Sequence, residues 1–145
     1  MRDMSKKEKM ELDELYQLAK EKNIKVMDFP LPENTAVTLN MGEDSFVGVD
    51  PAVFGSKCRE KVVLAHELGH IETDSVYSFK SEKNLRNSKE QKAEKWAIER
   101  LIPKEELFSQ IKKIGYIDVP TFAVHFEVTE EFMDKAIKYY SKQNN

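Results

Sequence analysis

The chain has 145 residues and a formal net charge of −3, from 23 Lys and Arg set against 26 Asp and Glu. That length suits one domain, or a main domain with a small appendage, and so even a charge balance offers no basic face of the kind that grips a phosphate backbone. Hydrophobic residues at 40% and charged residues at 34% exclude a disordered chain, and a single cysteine, Cys58, excludes an internal disulfide. No apolar run approaches the ~20 residues of a membrane span. The opening "MRDMSKKEKMELDE" lacks the apolar core of a signal peptide, so a cytoplasmic location is expected.

In chain order, Ser5 and Glu8 have capping-box spacing. They precede a helix whose stripe is Leu12, Leu15, Tyr16 and Ala19, with Asn23 as its stop. Three strand-like stretches follow, "IKVMDF" (24–29), "TAVTLN" (35–40) and "SFVGVD" (45–50). The last two are joined by "MGED", a turn carrying Gly42, which predicts an antiparallel hairpin. Together the three predict a small antiparallel sheet ending at Asp50-Pro51. Ser56 caps a helix through "KCREKVVLAHELGH", and residues 71–87 show no period and read as a loop. Ser88 and Gln91 open the next helix, "KEQKAEKWAIERLI", which Pro103 stops. "KEELFSQIKKI" then runs to Gly115. The tail, 116–145, reads as "PTFAVHF", a turn at "EVT", and a helix "EEFMDKAIKYY" capped by Thr129. Helix, tight turn, helix resembles a helix-turn-helix unit. Its second helix opens with Glu130, Glu131 and Asp134, where a DNA-reading helix presents basic or amide side chains, so no direct nucleic-acid binding is expected.

The chemistry is concentrated in "VVLAHELGHI" (62–71). On a helix, positions i and i+4 share a face, so His66 and His70 offer two imidazoles to one cation. Glu67 lies ~100° round the helix, poorly placed as a ligand but within reach of a water on the metal. Zinc lowers the pKa of such a water to ~7, and a neighbouring carboxylate can take its proton. The flanks Val62, Val63, Leu64, Ala65 and Ile71 predict a buried helix, whereas a chance His–Glu pairing on a surface helix would have charged flanks. Gly69 disfavours a helix interior by ~1 kcal/mol, which points to close approach by another element.

A catalytic zinc site takes three protein ligands and keeps one position open. Glu90 and Glu94, again at i and i+4, share a stripe with Ala93, Ala97 and Leu101, and carboxylates facing a core need a reason. One division gives Glu90 to the metal and Glu94 to the far nitrogen of a ligating histidine. The alternatives are an acid favouring the helix dipole at Glu90 and a surface ion pair of Glu94 with Lys95 or Arg100.

With "VVLAHELGHI", "EQKAEKWAIERLIP" and "FAVHFEVTEEFMDKAIKYY" in hand, the sequence resembles the ImmA/IrrE family of metallopeptidases of phages and mobile elements, over roughly residues 10–140. The resemblance implies a small α+β, gluzincin-like fold, with a metallopeptidase domain over 1–115 and a C-terminal helical subdomain, 116–145, packed on it. It implies one Zn²⁺ per chain held by His66, His70 and Glu90, with Glu67 as general base. Glu94 stands where Asp or Asn is more usual. It also implies a protein substrate, a helix-turn-helix repressor encoded nearby as a separate partner. The rival reading is a zinc-containing regulatory module that binds and displaces such a repressor without cutting it.

The remaining residues of note have simpler readings beside the functional ones. His125, the only other histidine, is a candidate ligand or a packed histidine of an apolar helix. Tyr77 is a candidate for steadying a transition-state oxyanion, or a packed aromatic. Cys58 reads as a small buried hydrophobe, and Trp96, Phe108, Phe122, Phe126 and Phe132 as core.

Overall fold

A computed structural model describes residues 9–31, 35–41, 43–78 and 80–143. The expected capping box at Ser5 and Glu8 and the turn glycine Gly42 lie outside these residues. The protein is α+β. Helix α1 (Leu12–Glu21) leads into strands β1 (Ile24–Asp28), β2 (Ala36–Met41) and β3 (Asp44–Val49). A 3₁₀ turn (Pro51–Gly55) precedes α2 (Lys57–Glu72), α3 (Lys83–Leu101), α4 (Lys104–Ile114), α5 (Val119–Phe126) and α6 (Glu130–Gln143).

The predicted punctuation has physical counterparts. Asn23 ends α1 in the left-handed region at φ 59°, and Gly115 ends α4 at φ 94°. Ser56 accepts from the Arg59 amide to cap α2, and Thr129 accepts from the Phe132 amide to cap α6. Asp50 accepts from the Leu31 and Ala52 amides, which ties the end of the sheet to the 3₁₀ turn.

Two expectations are corrected. The sheet has three strands in the order β1-β3-β2, and β2 pairs antiparallel with β3 as the turn requires. β1, however, runs parallel to β3, so the sheet is mixed rather than antiparallel throughout. Two strands joined by a longer connection are free to pair either way, and no local signal decides it. The second correction is to the loop at 71–87: α2 continues to Glu72 and α3 begins at Lys83, with Ser88 inside it. Lys83 to Leu85, Asn87 and Ser88 are exposed, so these first turns carry no apolar stripe to announce a helix.

One face of the sheet, through Ile24, Val47 and Val49, packs into a core shared with Leu15, Leu64, Leu68, Leu101 and Ile102. The same core takes in Phe122, Phe126, Phe132, Met133 and Ala136 of α5 and α6. Trp96 and Phe108 pack against it while partly exposed, and Cys58 is half-buried rather than buried. The helix pair is fastened by Tyr140, whose hydroxyl donates to the Ile102 carbonyl at 2.7 Å. It is fastened again by Lys61 of α2, whose side chain is 0% exposed and whose Nζ donates to the Phe126 carbonyl at 2.7 Å.

The ladder also defines the outer edge. The Asp50 amide donates to the Thr35 carbonyl at 2.8 Å, so that pair is hydrogen-bonded across β2 and β3. By the alternation of an antiparallel ladder, Val37 and Leu39 also turn their backbone groups towards β3. Ala36, Thr38 and Asn40 turn theirs to the other edge, on which no strand pairs among the described residues.

Candidate metal centre

Two helices supply the centre, and their spacing is set by a missing side chain. A Cβ at Gly69 would stand 2.6 Å from the Ala93 carbonyl oxygen and 3.1 Å from its Cα. The close approach that Gly69 predicted is therefore that of α3, at the turn lying between Glu90 and Glu94. Ala93, Ala97 and Leu101 are fully buried, as their stripe predicts.

The approach brings the acids of α3 onto the imidazoles of α2. His66 Nε2 lies 2.6 Å from Glu90 Oε2, and His70 Nε2 lies 3.3 Å from Glu90 Oε1. One ligand atom from each of His66, His70 and Glu90 falls within a sphere of 4.8 Å separation. Behind the rings, His66 Nδ1 lies 2.8 Å from Glu94 Oε2, and His70 Nδ1 donates to the Ser75 carbonyl at 2.9 Å. The second contact places a proton on His70 Nδ1, so that in the neutral ring Nε2 is the nitrogen left to ligate at the cluster.

The donor set fits a divalent cation. His66 has a carboxylate oxygen against each ring nitrogen, yet a neutral imidazole carries only one N–H. The arrangement is satisfied only if the ring is an imidazolium or if a cation takes the place of one proton. Burial opposes charge on His66, but hydrogen bonds to Glu90 and Glu94 and the field of Glu67 outweigh it and push the ring up to about 10. His70 is raised too, its burial outweighed by hydrogen bonds to Glu90 and the Ser75 carbonyl and by the field of Glu67. The two histidines hold Glu90 well below the usual carboxylate range. For Glu94, burial works against ionisation, and the bond to His66 wins and lowers it.

Glu67 stands apart from the ligands. Burial raises its carboxyl above the ordinary value, partly offset by the charge of His66 and by a hydrogen bond from Thr38. The Thr38 hydroxyl donates to Glu67 Oε1 at 2.8 Å. Thr38 is a site residue that the sequence reading missed. Its only local signal is an inward position on β2, and its partner lies 29 residues away. Ser75, fully buried and bonded to His70, was likewise hidden in a stretch read as loop.

Of the other candidates, Tyr77 sits at the cluster: its hydroxyl donates to Glu90 Oε1 at 2.7 Å. His125 does not. Its Nε2 lies 2.9 Å from Glu106 of α4, and its carbonyl accepts from Lys9. Among the described residues it takes no part in the His66–His70–Glu90 group.

Two imidazoles, a carboxylate and a buried glutamate beside them form the kind of centre that peptide hydrolysis uses, and residues 19–138 match the family model of peptidase M78, the IrrE N-terminal-like domain. The chain belongs to this family. No curated protein matches it. As a member of a metallopeptidase family, this M78 chain is a peptidase whose centre implies a metal. Among its described residues, no helix is long and apolar enough to cross a membrane.

Proposed function

We propose that this chain is a zinc-dependent endopeptidase acting in the cytoplasm on a protein substrate, a helix-turn-helix repressor of a phage or mobile element. The observation that carries the reading is the convergence of His66, His70 and Glu90 within 4.8 Å, next to a buried glutamate that is not one of them. Two neutral imidazoles and one carboxylate with an open fourth position are the donor set of hydrolytic zinc sites. The repressor as substrate rests on the family resemblance.

When bound, zinc supplies a Lewis acid that polarises the peptide carbonyl and makes a water acidic near neutral pH. The chain's own residues do the rest. Glu67 takes the water's proton and returns it to the leaving amine, and burial, by raising its carboxyl, brings it nearer to the working pH of such a base. Thr38 holds Oε1 of Glu67, which leaves Oε2 as the oxygen to take the proton. The same strand supports a track for the substrate. Ala36, Thr38 and Asn40 offer backbone amides and carbonyls at this outer edge, to which an extended polypeptide adds as a further strand. Thr38 thus joins the edge to the base: its side chain meets Glu67 and its backbone meets the peptide.

Glu67→Gln tests the reading. The variant keeps its zinc by elemental analysis and loses cleavage of a co-expressed repressor by ~10²–10⁴-fold. Cleavage at the wild-type rate removes Glu67 from the mechanism. A repressor that stays intact with wild-type enzyme yet loses its operator shows displacement without proteolysis.

A further inference from the structure

We propose that Tyr77 is a positioning residue of the metal centre, a hydroxyl clasp that holds one oxygen of Glu90 and so fixes how that carboxylate meets the ion. The proposal rests on the zinc reading above.

Glu90 is the weak member of the ligand set. His66 and His70 ride on one buried helix, and each has its Nδ1 held from behind. Glu90 comes from the other helix, on its exposed first half, and its side chain is 41% exposed. A glutamate side chain has several free torsions, and ordering a long, solvent-facing side chain is opposed by its rotamer entropy. A carboxylate can also meet a cation through one oxygen or both, and two bound oxygens would fill the position that a hydrolytic centre leaves open.

The Tyr77 hydroxyl answers both problems by donating to Oε1 at 2.7 Å. A bond to an ionised acceptor is among the stronger hydrogen bonds. It removes torsional freedom from Glu90 and commits one oxygen to a donor other than the metal. Tyr77 can do this because the turn that carries it is itself built. The Ser75 amide donates to the His70 carbonyl at 2.7 Å, and its own carbonyl accepts from His70 Nδ1. The Thr73 and Ser75 hydroxyls are bonded at 2.6 Å. Lys89, the neighbour of Glu90, donates from Nζ to the Val76 carbonyl at 3.2 Å. The Tyr77 ring lies edge-on to His70, with centroids 5.9 Å apart. One short turn therefore orients a histidine with its backbone and a glutamate with a phenol.

The test is the zinc dissociation constant of full-length wild type and Tyr77→Phe, measured by competition with a chromophoric chelator. Loss of an outer partner of a ligand weakens metal binding by ~10–100-fold, so a drop of at least tenfold is expected. The metal-stripped variant should still melt cooperatively, and turnover at saturating zinc should fall together with affinity, because a Glu90 carboxylate free to offer both oxygens would occupy the open position. In a Glu90→Ala background the same substitution should produce no further loss, since the clasp has nothing left to hold. A drop that persists without Glu90 marks a merely structural role and overturns the proposal. Unchanged affinity with reduced turnover at saturating zinc also overturns it, and moves Tyr77 onto the reacting atoms. If wild type itself takes up no zinc, the zinc reading fails and the clasp with it. If wild type binds zinc and Tyr77→Phe binds it equally, only the clasp fails.

Discussion

The α2–α3 pair and the α5–α6 pair are both two helices packed face to face, and their interiors are opposites. Between α5 and α6 the buried side chains are Phe122, Ala123, Phe126, Phe132, Met133, Ala136 and Tyr140, and no acid or base of either helix is buried among them. Between α2 and α3 two histidines and two glutamates turn inward, and Glu67 is buried beside them. Buried charge is expensive unless it is paired or binds an ion, so only the second interior needs an explanation beyond stability. What separates a packing helix pair from a working one is the polarity of the seam, and that difference can be measured.

The largest effect on stability should come from the apolar seam. Phe122→Ala removes a fully buried ring and should destabilise the fold by ~3–5 kcal/mol. The zinc affinity of the molecules that remain folded should be unchanged, as measured by denaturant unfolding beside chelator competition. A matching loss of zinc affinity would erase the contrast between the two pairs. Gly69→Ala should act on both properties. Ala is the better helix former by ~1 kcal/mol, but its methyl meets a backbone carbonyl that cannot swing aside, and overpacking of this kind opposes folding by ~1–3 kcal/mol. Thermal melts should show a net loss, and zinc binding should weaken because α3 is pushed off the histidines.

The smallest effect is one of protons. Without metal, the His66 ring is pushed up to about 10, so at pH 8 it is protonated. A metal cation can ligate the ring only by expelling that proton. Zinc uptake at pH 8 should therefore release protons, and affinity should fall as the pH is lowered. Calorimetry in buffers of different ionisation enthalpy reads this directly. Phe122→Ala should leave the proton count alone, whereas Glu94→Gln, which takes away a partner of the imidazolium, should reduce it.

How much of this was written locally differs between the two seams and the sheet. The i, i+4 spacings of His66 with His70 and of Glu90 with Glu94 are helical geometry, legible as soon as the helices are recognised. Gly69 was legible too, because a glycine in an otherwise apolar helix implies a neighbour at close quarters. Thr38 was not, since nothing near it in the chain marks it as the partner of Glu67, and the contact exists only once β2 has been laid over α2. The parallel entry of β1 escaped for a related reason: hydrophobic alternation says which face is buried but not which strand lies alongside. The first turns of α3 escaped because they bury nothing, and a helix exposed on every side has no period to read.

The ammonium of Lys61, dry in the middle of the molecule, ties the fate of both seams together. Its hydrogen bond runs to the last turn of α5, from the same rod that carries His66 and His70 further along. Cutting the chain after Gly115 would leave that cation without its carbonyl acceptor and lay bare the apolar surface around it. The last two helices thus complete the core on which α2 packs, and a chain cut after Gly115 should lose its cooperative thermal melt.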